Sequence, residues 1–280
     1  MPLNITEIEN PNKFKMKPIK EKQDIYIPDI KDENISRRNG MIYCLTGSGG
    51  SGKSSLLLNM FRDKNYYRSK FHNIWLFTPL SSFLSVENHP FKDHDKVFHD
   101  LTVPHLESLY NQMVAMRESH EDYLEKAKLT PSGKKHKGGK KKVDDYGDEN
   151  VSDDEDDENK EIQYNCIIID DFADALKDND IMKQLNKMLI KARHICCSFI
   201  FTLQTYYYFP KVLRKQITYL TMFKSKNIEE FNSIAKELFN LNKEDALQLY
   251  NYVFDESYTH LDIDLVNNIY YKNFNKLILK

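Results

Sequence analysis

The chain has 280 residues, which suffices for one large α/β domain with additions or for two small domains, and we expect a single core. Its 40 Lys and Arg against 42 Asp and Glu give a formal charge of −2, which argues against a strongly basic protein built to coat nucleic acid. Four cysteines without metal-ligand spacing argue against a zinc site and favour a reducing, intracellular setting, and no apolar run approaches the length of a bilayer span.

The N-terminal residues 1–38 are polar and rich in Lys and Pro, with only a short apolar group at 25–27. This pattern predicts an arm or edge strand that packs on the following domain. We assign residues 39–280 to that domain, interrupted at about 130–160 by a Lys-rich and then acidic insertion without apolar periodicity. Such a composition predicts disorder, and contact of its lysines with phosphates is the alternative.

A glycine-rich motif follows the first predicted core strand, 41–46, and precedes a helix that runs to about residue 63. A strand, a Gly-x-x-x-x-Gly-Lys-Ser loop and a helix in this order predict a P-loop that binds ATP; a Gly/Ser-rich turn before an ordinary helix is the alternative. Lys53 is expected to reach the β and γ phosphates and the Ser54 hydroxyl to ligate Mg²⁺. The predicted nucleotide-binding residues are Gly47, Ser48, Gly49, Gly50, Ser51, Gly52, Lys53, Ser54 and Ser55.

Two more strands are predicted at 72–79 and 96–100. Apolar residues at helical spacing then predict a long amphipathic helix that begins at Pro104 and ends before Pro131, more typical of core cover than of a partner site.

After the insertion, four apolar residues, 166–169, are followed by Asp170 and Asp171. A buried parallel strand that ends in two carboxylates is typical of a Walker B strand, because its carboxyl end opens at the same sheet edge as the P-loop. We expect Asp170 to hold Mg²⁺ and Asp171 to orient and deprotonate the attacking water. Capping of the next turn by the two carboxylates is the alternative.

A helix is predicted over 180–192, and the apolar run 194–204 predicts a buried strand that ends at Gln204. In P-loop ATPases with an additional strand between the two Walker strands, this strand lies between them, so Gln204 is expected to sense the γ phosphate or the water. Arg193 and Arg214 are candidates for a cation supplied to a neighbouring subunit's site. A cation favoured by the dipole at a helix C-terminus is the alternative for Arg193.

The tail predicts a strand at 219–223, a helix with apolar residues between 231 and 239, and a last strand near 258–263 at the edge of the sheet.

Together these motifs resemble the genome-packaging ATPases of nucleocytoplasmic large DNA viruses, including the poxvirus packaging ATPase, within the FtsK/HerA superfamily. The matching pieces lie between about residues 41 and 223: the glycine loop 47–54, the strand 167–171, the Lys-Ala-Arg-His run 191–194, the strand end 202–204, and Phe209-Pro210 with Arg214. The tail at 261–264 is also similar. Many superfamily members have Glu at the position of Asp171, and the insertion is not part of the family core.

The resemblance implies a P-loop NTPase three-layer α/β sandwich with a mainly parallel sheet in the strand order 5-1-4-3-2. It also implies a homo-oligomeric ring that hydrolyses ATP with Mg²⁺ to push double-stranded DNA into a preformed capsid, with a capsid or vertex protein as partner. The expected location is the host-cell cytoplasm at the viral assembly site, or association with the virion. A helicase or DNA-transfer pump of similar fold is one alternative. A non-motor nucleotide-binding protein or kinase is another, although the insertion lacks the Arg-rich composition of a kinase lid.

Overall fold

The computed structural model of the chain describes residues 26–129, 161–239 and 241–278. Nine strands in these ranges form a single sheet, and each of the central ones is a short apolar run of the kind that a sheet covered on both faces requires. The strands are β1 Ile42–Thr46, β2 Asn73–Phe77, β3 Val97–Phe98, β4 Asn165–Asp170, β5 Cys197–Leu203, β6 Tyr219–Phe223, β7 His260–Asp264, β8 Ile269–Lys272 and β9 Asn275–Leu277.

The strand order across the sheet is β3-β2-β4-β5-β1-β6-β7-β8-β9. From β3 to β6 neighbouring strands are parallel, and β7, β8 and β9 are added in antiparallel pairs. The predicted α/β fold with a mainly parallel central sheet is therefore confirmed. The strand that ends before Gln204, β5, pairs with β1 on one side and with β4 on the other.

Helices cover both faces of this sheet, because parallel strands need crossover connections. Asp178 caps the helix that precedes β5 by accepting hydrogen bonds from the backbone N–H groups of Asp180 and Ile181. The helices are α1 Lys53–Arg62, α2 Leu80–Leu84, α3 Val103–Leu129, α4 Asn179–Ile190, α5 Lys211–Arg214, α6 Ile228–Ile234, which continues as a π turn to Phe239, and α7 Lys243–Val253.

Alternation along the strands divides the core into two clusters. In β1, Ile42 and Cys44 point into the cluster that also holds buried residues of α3, α4, α6 and α7. Tyr43 and Leu45 point into the other, which holds the buried residues of α1. Side chains with the parity of Tyr43 therefore face the same side of the sheet as α1, and this parity decides which residues reach the P-loop.

The predicted arm is described only from residue 26 onwards, and there it lies on the α1 side of the sheet. Ile27, Ile30 and Ile35 are buried in the cluster that contains α1, while Tyr26 forms an isolated antiparallel bridge with Arg38. The predicted insertion at 130–160 lies outside the described residues. Within the described parts of the chain, none of the helices combines the length and the apolar character needed to cross a membrane.

The prediction that the whole run 194–204 is strand is wrong in part, because its first residues form a turn. Cys196 has a positive φ of 48°, and the chain becomes extended only at Cys197, where the backbone N–H donates to Ala192 O. All four cysteines are buried free thiols; Cys197 is the first residue of β5, and Cys196 lies in the turn before it.

The prediction of a last edge strand near 258–263 is also wrong in part, since β8 and β9 extend the sheet beyond β7. These strands are only four and three residues long, and their hairpin turns at Asn273 and Phe274, with φ angles of 50° and 63°. Two consecutive positive φ angles match the type I′ turn, but the sequence did not predict this turn, because Phe is not among the residues that favour it.

A buried polar network ties this antiparallel addition to the parallel sheet. Asp262, which is fully buried, accepts hydrogen bonds from Thr221 Oγ1 at 2.6 Å, His260 Nδ1 at 2.8 Å and the backbone N–H of Phe274 at 2.9 Å. Tyr43 OH donates in turn to Thr221 at 2.7 Å, so the network spans β1, β6 and β7. Buried donors that lose their acceptor destabilise a fold strongly.

We predict that Asp262→Ala lowers the free energy of unfolding by roughly 3 kcal/mol or more, because it leaves several buried hydrogen-bond donors without an acceptor. Chemical denaturation monitored by circular dichroism measures this value. The control is Asp174→Ala, which removes an ion pair of two exposed side chains with Lys177 and should change little. Equal effects of the two substitutions would contradict a stabilising role for the network.

Candidate active site

The P-loop is the connection between the end of β1 at Thr46 and the start of α1 at Lys53. Gly52, immediately before the helix, has φ 108°, and a Cβ added there would lie 3.2 Å from the Phe223 ring. A Cβ added at Gly47 would lie 2.7 Å from Phe223 Cβ. Both positions therefore require glycine, and the loop is left as a backbone cradle at the positive end of α1.

Lys53 lies over this cradle. Its Nζ donates to Gly47 O at 2.6 Å and to Ser48 O at 3.1 Å. Burial lowers the pKa of Lys53, while the nearby carboxylates of Asp171 and Asp170 act in the opposite direction. The lysine and the two predicted Walker B acids thus share one cleft, which Ser54 and Gln204 also line.

Asp170, the last residue of β4, is fixed by two threonines from the neighbouring strands. Thr202 of β5 is its register partner, and Thr202 Oγ1 donates a hydrogen bond to Asp170 Oδ1. Thr78, directly after β2, donates to Asp170 Oδ2 at 3.2 Å. Thr78, Asp170 and Thr202 each lie two positions after a strand residue that is buried in the cluster containing α1. These preceding residues are Leu76, Ile168 and Ile200, in that order. Because side chains two positions apart on a strand face the same side of the sheet, all three polar side chains point toward the P-loop. Burial raises the pKa of Asp170, and the two threonine hydrogen bonds oppose this effect.

Sequence reasoning did not single out Thr78 and Thr202 as parts of the site. Each of the two apolar strands next to β4 has, near or directly after its carboxyl end, a threonine whose side chain faces α1. This pattern could have identified the two threonines, but only once the order of the strands in the sheet is known.

Asp171 and Gln204 meet at the mouth of the cleft. Asp171 has a positive φ of 57°, and its backbone N–H lies 3.2 Å from Thr202 Oγ1. Gln204, which follows β5, donates from Nε2 to Asp171 Oδ1 at 3.2 Å, and both side chains are exposed. The predicted base and the predicted sensor are therefore in direct contact, with Thr202 beneath both acids.

The two arginines do not line this cleft. Arg193 precedes β5, so it lies at the amino edge of the parallel strands, whereas the P-loop and the acids lie at the carboxyl edge. Arg214 lies on the side of the sheet away from α1, over the faces of Tyr206 and Tyr207, and is paired with Glu237 at 3.3 Å. A catalytic role for either arginine in a neighbouring subunit stays a prediction.

The donors present fit a magnesium–nucleotide. Ser51 Oγ in the loop is buried and has no hydrogen-bond partner among the described residues, as expected of a hydroxyl that a phosphate oxygen would satisfy. The described residues contain no group of three or more His, Cys, Asp or Glu side chains able to hold a metal. Ser54 and Asp170 line the same cleft and would hold Mg²⁺ together with water and the phosphates, since this ion binds through few protein ligands and keeps several waters.

Fold and cleft together define a P-loop ATPase with an additional strand between its Walker strands. The family model described as "Poxvirus A32 protein" matches residues 140–276, which include the Walker B strand, Gln204 and both arginines. The resemblance to the poxvirus-type packaging ATPases is thereby confirmed, and it supports the predicted function of a viral DNA-packaging ATPase. No curated protein sequence matches the chain significantly.

Solved structures agree on the fold. B204, the DNA-packaging ATPase from Sulfolobus Turreted Icosahedral Virus, is 17% identical with a TM-score of 0.51, and the match covers 86% of this chain and 98% of that one. ATPases 2 and 3 of EssC from Geobacillus thermodenitrificans are 13% identical with a TM-score of 0.52, covering 83% of this chain and 39% of that one.

We predict that Asp170→Asn raises the melting temperature of the nucleotide-free protein near neutral pH while ATPase activity is lost. A raised pKa means that the ionised carboxylate destabilises the fold, and the neutral amide removes this penalty; about 1 kcal/mol corresponds to roughly 2–4 °C at this size. The gain should shrink as the pH falls through the raised pKa, because wild-type Asp170 then also becomes neutral. Scanning fluorimetry measures the shift, with exposed Asp122→Asn as control. A lower melting temperature than wild type at neutral pH would refute this interpretation.

We also predict that Thr202→Val raises the Mg²⁺ concentration for half-maximal ATPase activity by about tenfold or more, because a hydrogen bond to a charged group contributes roughly 1.5–3 kcal/mol. Thr202→Ser, which keeps the hydroxyl, should stay near wild type. Steady-state assays over a Mg²⁺ titration compare them. A Val variant with unchanged Mg²⁺ dependence would show that the threonine only fills space.

Proposed function

We propose that the chain hydrolyses ATP with Mg²⁺ and uses the energy to move double-stranded DNA into a preformed viral capsid. The observation that carries this proposal is the convergence of Lys53, Asp170, Asp171 and Gln204 in one cleft, combined with the family match over 140–276. DNA dependence, the ring and a capsid or vertex protein as partner belong to the proposal, as does action in the host-cell cytoplasm or with the virion.

Each residue has a defined task in hydrolysis. Lys53 and the backbone of the loop neutralise the phosphates, and Ser54 and Asp170 would hold Mg²⁺, which would supply further positive charge to the phosphates. Asp171 orients and deprotonates the attacking water. Gln204 contacts Asp171 in the same cleft, and in this proposal its side chain changes partners when the γ phosphate leaves. The two residues after Gln204 are fixed to α6, because Glu230 of that helix accepts hydrogen bonds from Thr205 Oγ1 and from the Tyr206 N–H.

In a ring, the amino edge of one subunit's sheet can approach the carboxyl edge of the next. Arg193 would then be available to the transition state of the neighbour, where an arginine can accelerate phosphoryl transfer by about 10³ to 10⁵. The near-neutral charge of the chain is compatible with DNA as partner, since cations from all copies act on one duplex.

We predict that double-stranded DNA stimulates the ATPase of the assembled protein and that Lys53→Ala lowers the rate by at least about 100-fold, because a charge aimed at the developing negative charge is lost. Phosphate release with and without DNA measures both effects. Lys64→Ala is the matched control, since Lys64 is exposed just after α1. An assembled ring without DNA stimulation would count against the motor, and strand separation would favour a helicase.

A further inference from the structure

The P-loop has two flanks, and only one of them carries the acids. β5, which leads to Gln204 and pairs with the Walker B strand, lies on one side of β1, and β6 lies on the other. A triphosphate whose γ phosphate lies beside Asp171 and Gln204 crosses the loop with its remaining phosphates on the backbone N–H groups. Its nucleoside end therefore emerges on the β6 side.

Two aromatic rings lie on the β6 side of the P-loop, next to Gly52. A Cβ at Gly52 would lie 3.2 Å from the ring of Phe223, the last residue of β6, and 3.3 Å from the ring of Tyr258. Phe223 is buried and is braced from behind by His260, with ring centroids 5.3 Å apart. Tyr258, by contrast, is 72% exposed. Phe223 is thus the floor of this flank, and Tyr258 presents a free aromatic face beside the start of α1.

The turn that carries Tyr258 is anchored at several points. Lys224 Nζ donates to Phe254 O at 3.1 Å, Lys272 Nζ to Asp255 Oδ1 at 2.7 Å, and Thr259 Oγ1 to Glu256 O at 2.9 Å. Tyr258 itself has φ 65°, a backbone conformation that is strained for a bulky residue and persists only where the surroundings impose it. A rigid turn that holds an exposed ring in a strained conformation is preorganised for contact, because little freedom is lost on binding.

We propose that Tyr258 is the platform on which the adenine base of ATP stacks. The proposal rests on the proposed function, since it assigns the base end of the same nucleotide site. A packing role explains Tyr258 less well, because a ring that is 72% exposed buries little apolar surface. Stacking on a π face needs no specific hydrogen bond, and this flank would supply affinity for the base without acting on the phosphates.

The test compares two ligands that share the phosphate chain: a non-hydrolysable ATP analogue with Mg²⁺, and inorganic tripolyphosphate with Mg²⁺. For Tyr258→Ala we expect affinity for the ATP analogue to fall about 5- to 100-fold and affinity for tripolyphosphate to stay unchanged, as loss of one base stack predicts. The KM for ATP should rise while kcat at saturating ATP is kept. Tyr258→Phe, which retains the ring, should behave like wild type, as should Tyr26→Ala, which removes a half-exposed tyrosine at the start of the described chain.

Calorimetry on the full chain distinguishes the possible failures. If Tyr258→Ala binds both ligands like wild type, or loses affinity for both equally, the assignment of the base platform is overturned. If the wild-type chain binds neither ligand, the nucleotide site itself is wrong, and the proposed function fails together with this inference.

Discussion

The hydrogen bonds between Asp170 and the threonines on either side of it are the constraint on which the site depends. Thr78, Asp170 and Thr202 stand at the carboxyl ends of three neighbouring parallel strands, and all three share the parity that faces α1. A shift of one residue in any of these strands would turn its polar end away from the P-loop. The buried apolar runs that set the register therefore also place the carboxylate under the nucleotide cradle.

Two segments flank the P-loop, and one carboxylate joins them. The segment after β5 begins with Gln204, and its Thr205 and Tyr206 bind Glu230 Oε1. The segment after β6 contains Ser225, which donates to Glu230 Oε2 at 2.8 Å. The hydrolysis side and the proposed base side of the cradle are thus held at a fixed separation by α6. The antiparallel strands β7 to β9 support the second side, since the Tyr258 turn leads into β7.

The parts of this arrangement that depend on local sequence could be predicted. The P-loop and the Walker B strand can each be recognised from a stretch of about ten residues. The order of these elements along the chain then indicates that Gln204 lies at the end of a strand between them. Thr78 and Tyr258 could not be found this way, because their roles arise from neighbours about 90 and 200 residues distant in the chain, Asp170 and Gly52. The start of β5 was misplaced because the apolar residues before Cys197 are buried in a turn, which hydrophobicity alone does not separate from a strand. The predicted roles of Arg193 and Arg214 depend on a neighbouring subunit, so the sequence of one chain does not specify them.

A crystal structure with Mn²⁺ in place of Mg²⁺ and a non-hydrolysable ATP analogue would show whether the glycine loop and Asp170 share one metal–nucleotide, because anomalous scattering locates the metal. We expect a single metal peak about 2 Å from Ser54 Oγ and from a phosphate oxygen, with Asp170 bound to it directly or through one water. A metal peak outside the space between the glycine loop and Asp170, or a triphosphate that does not lie along residues 47–54, would contradict the account.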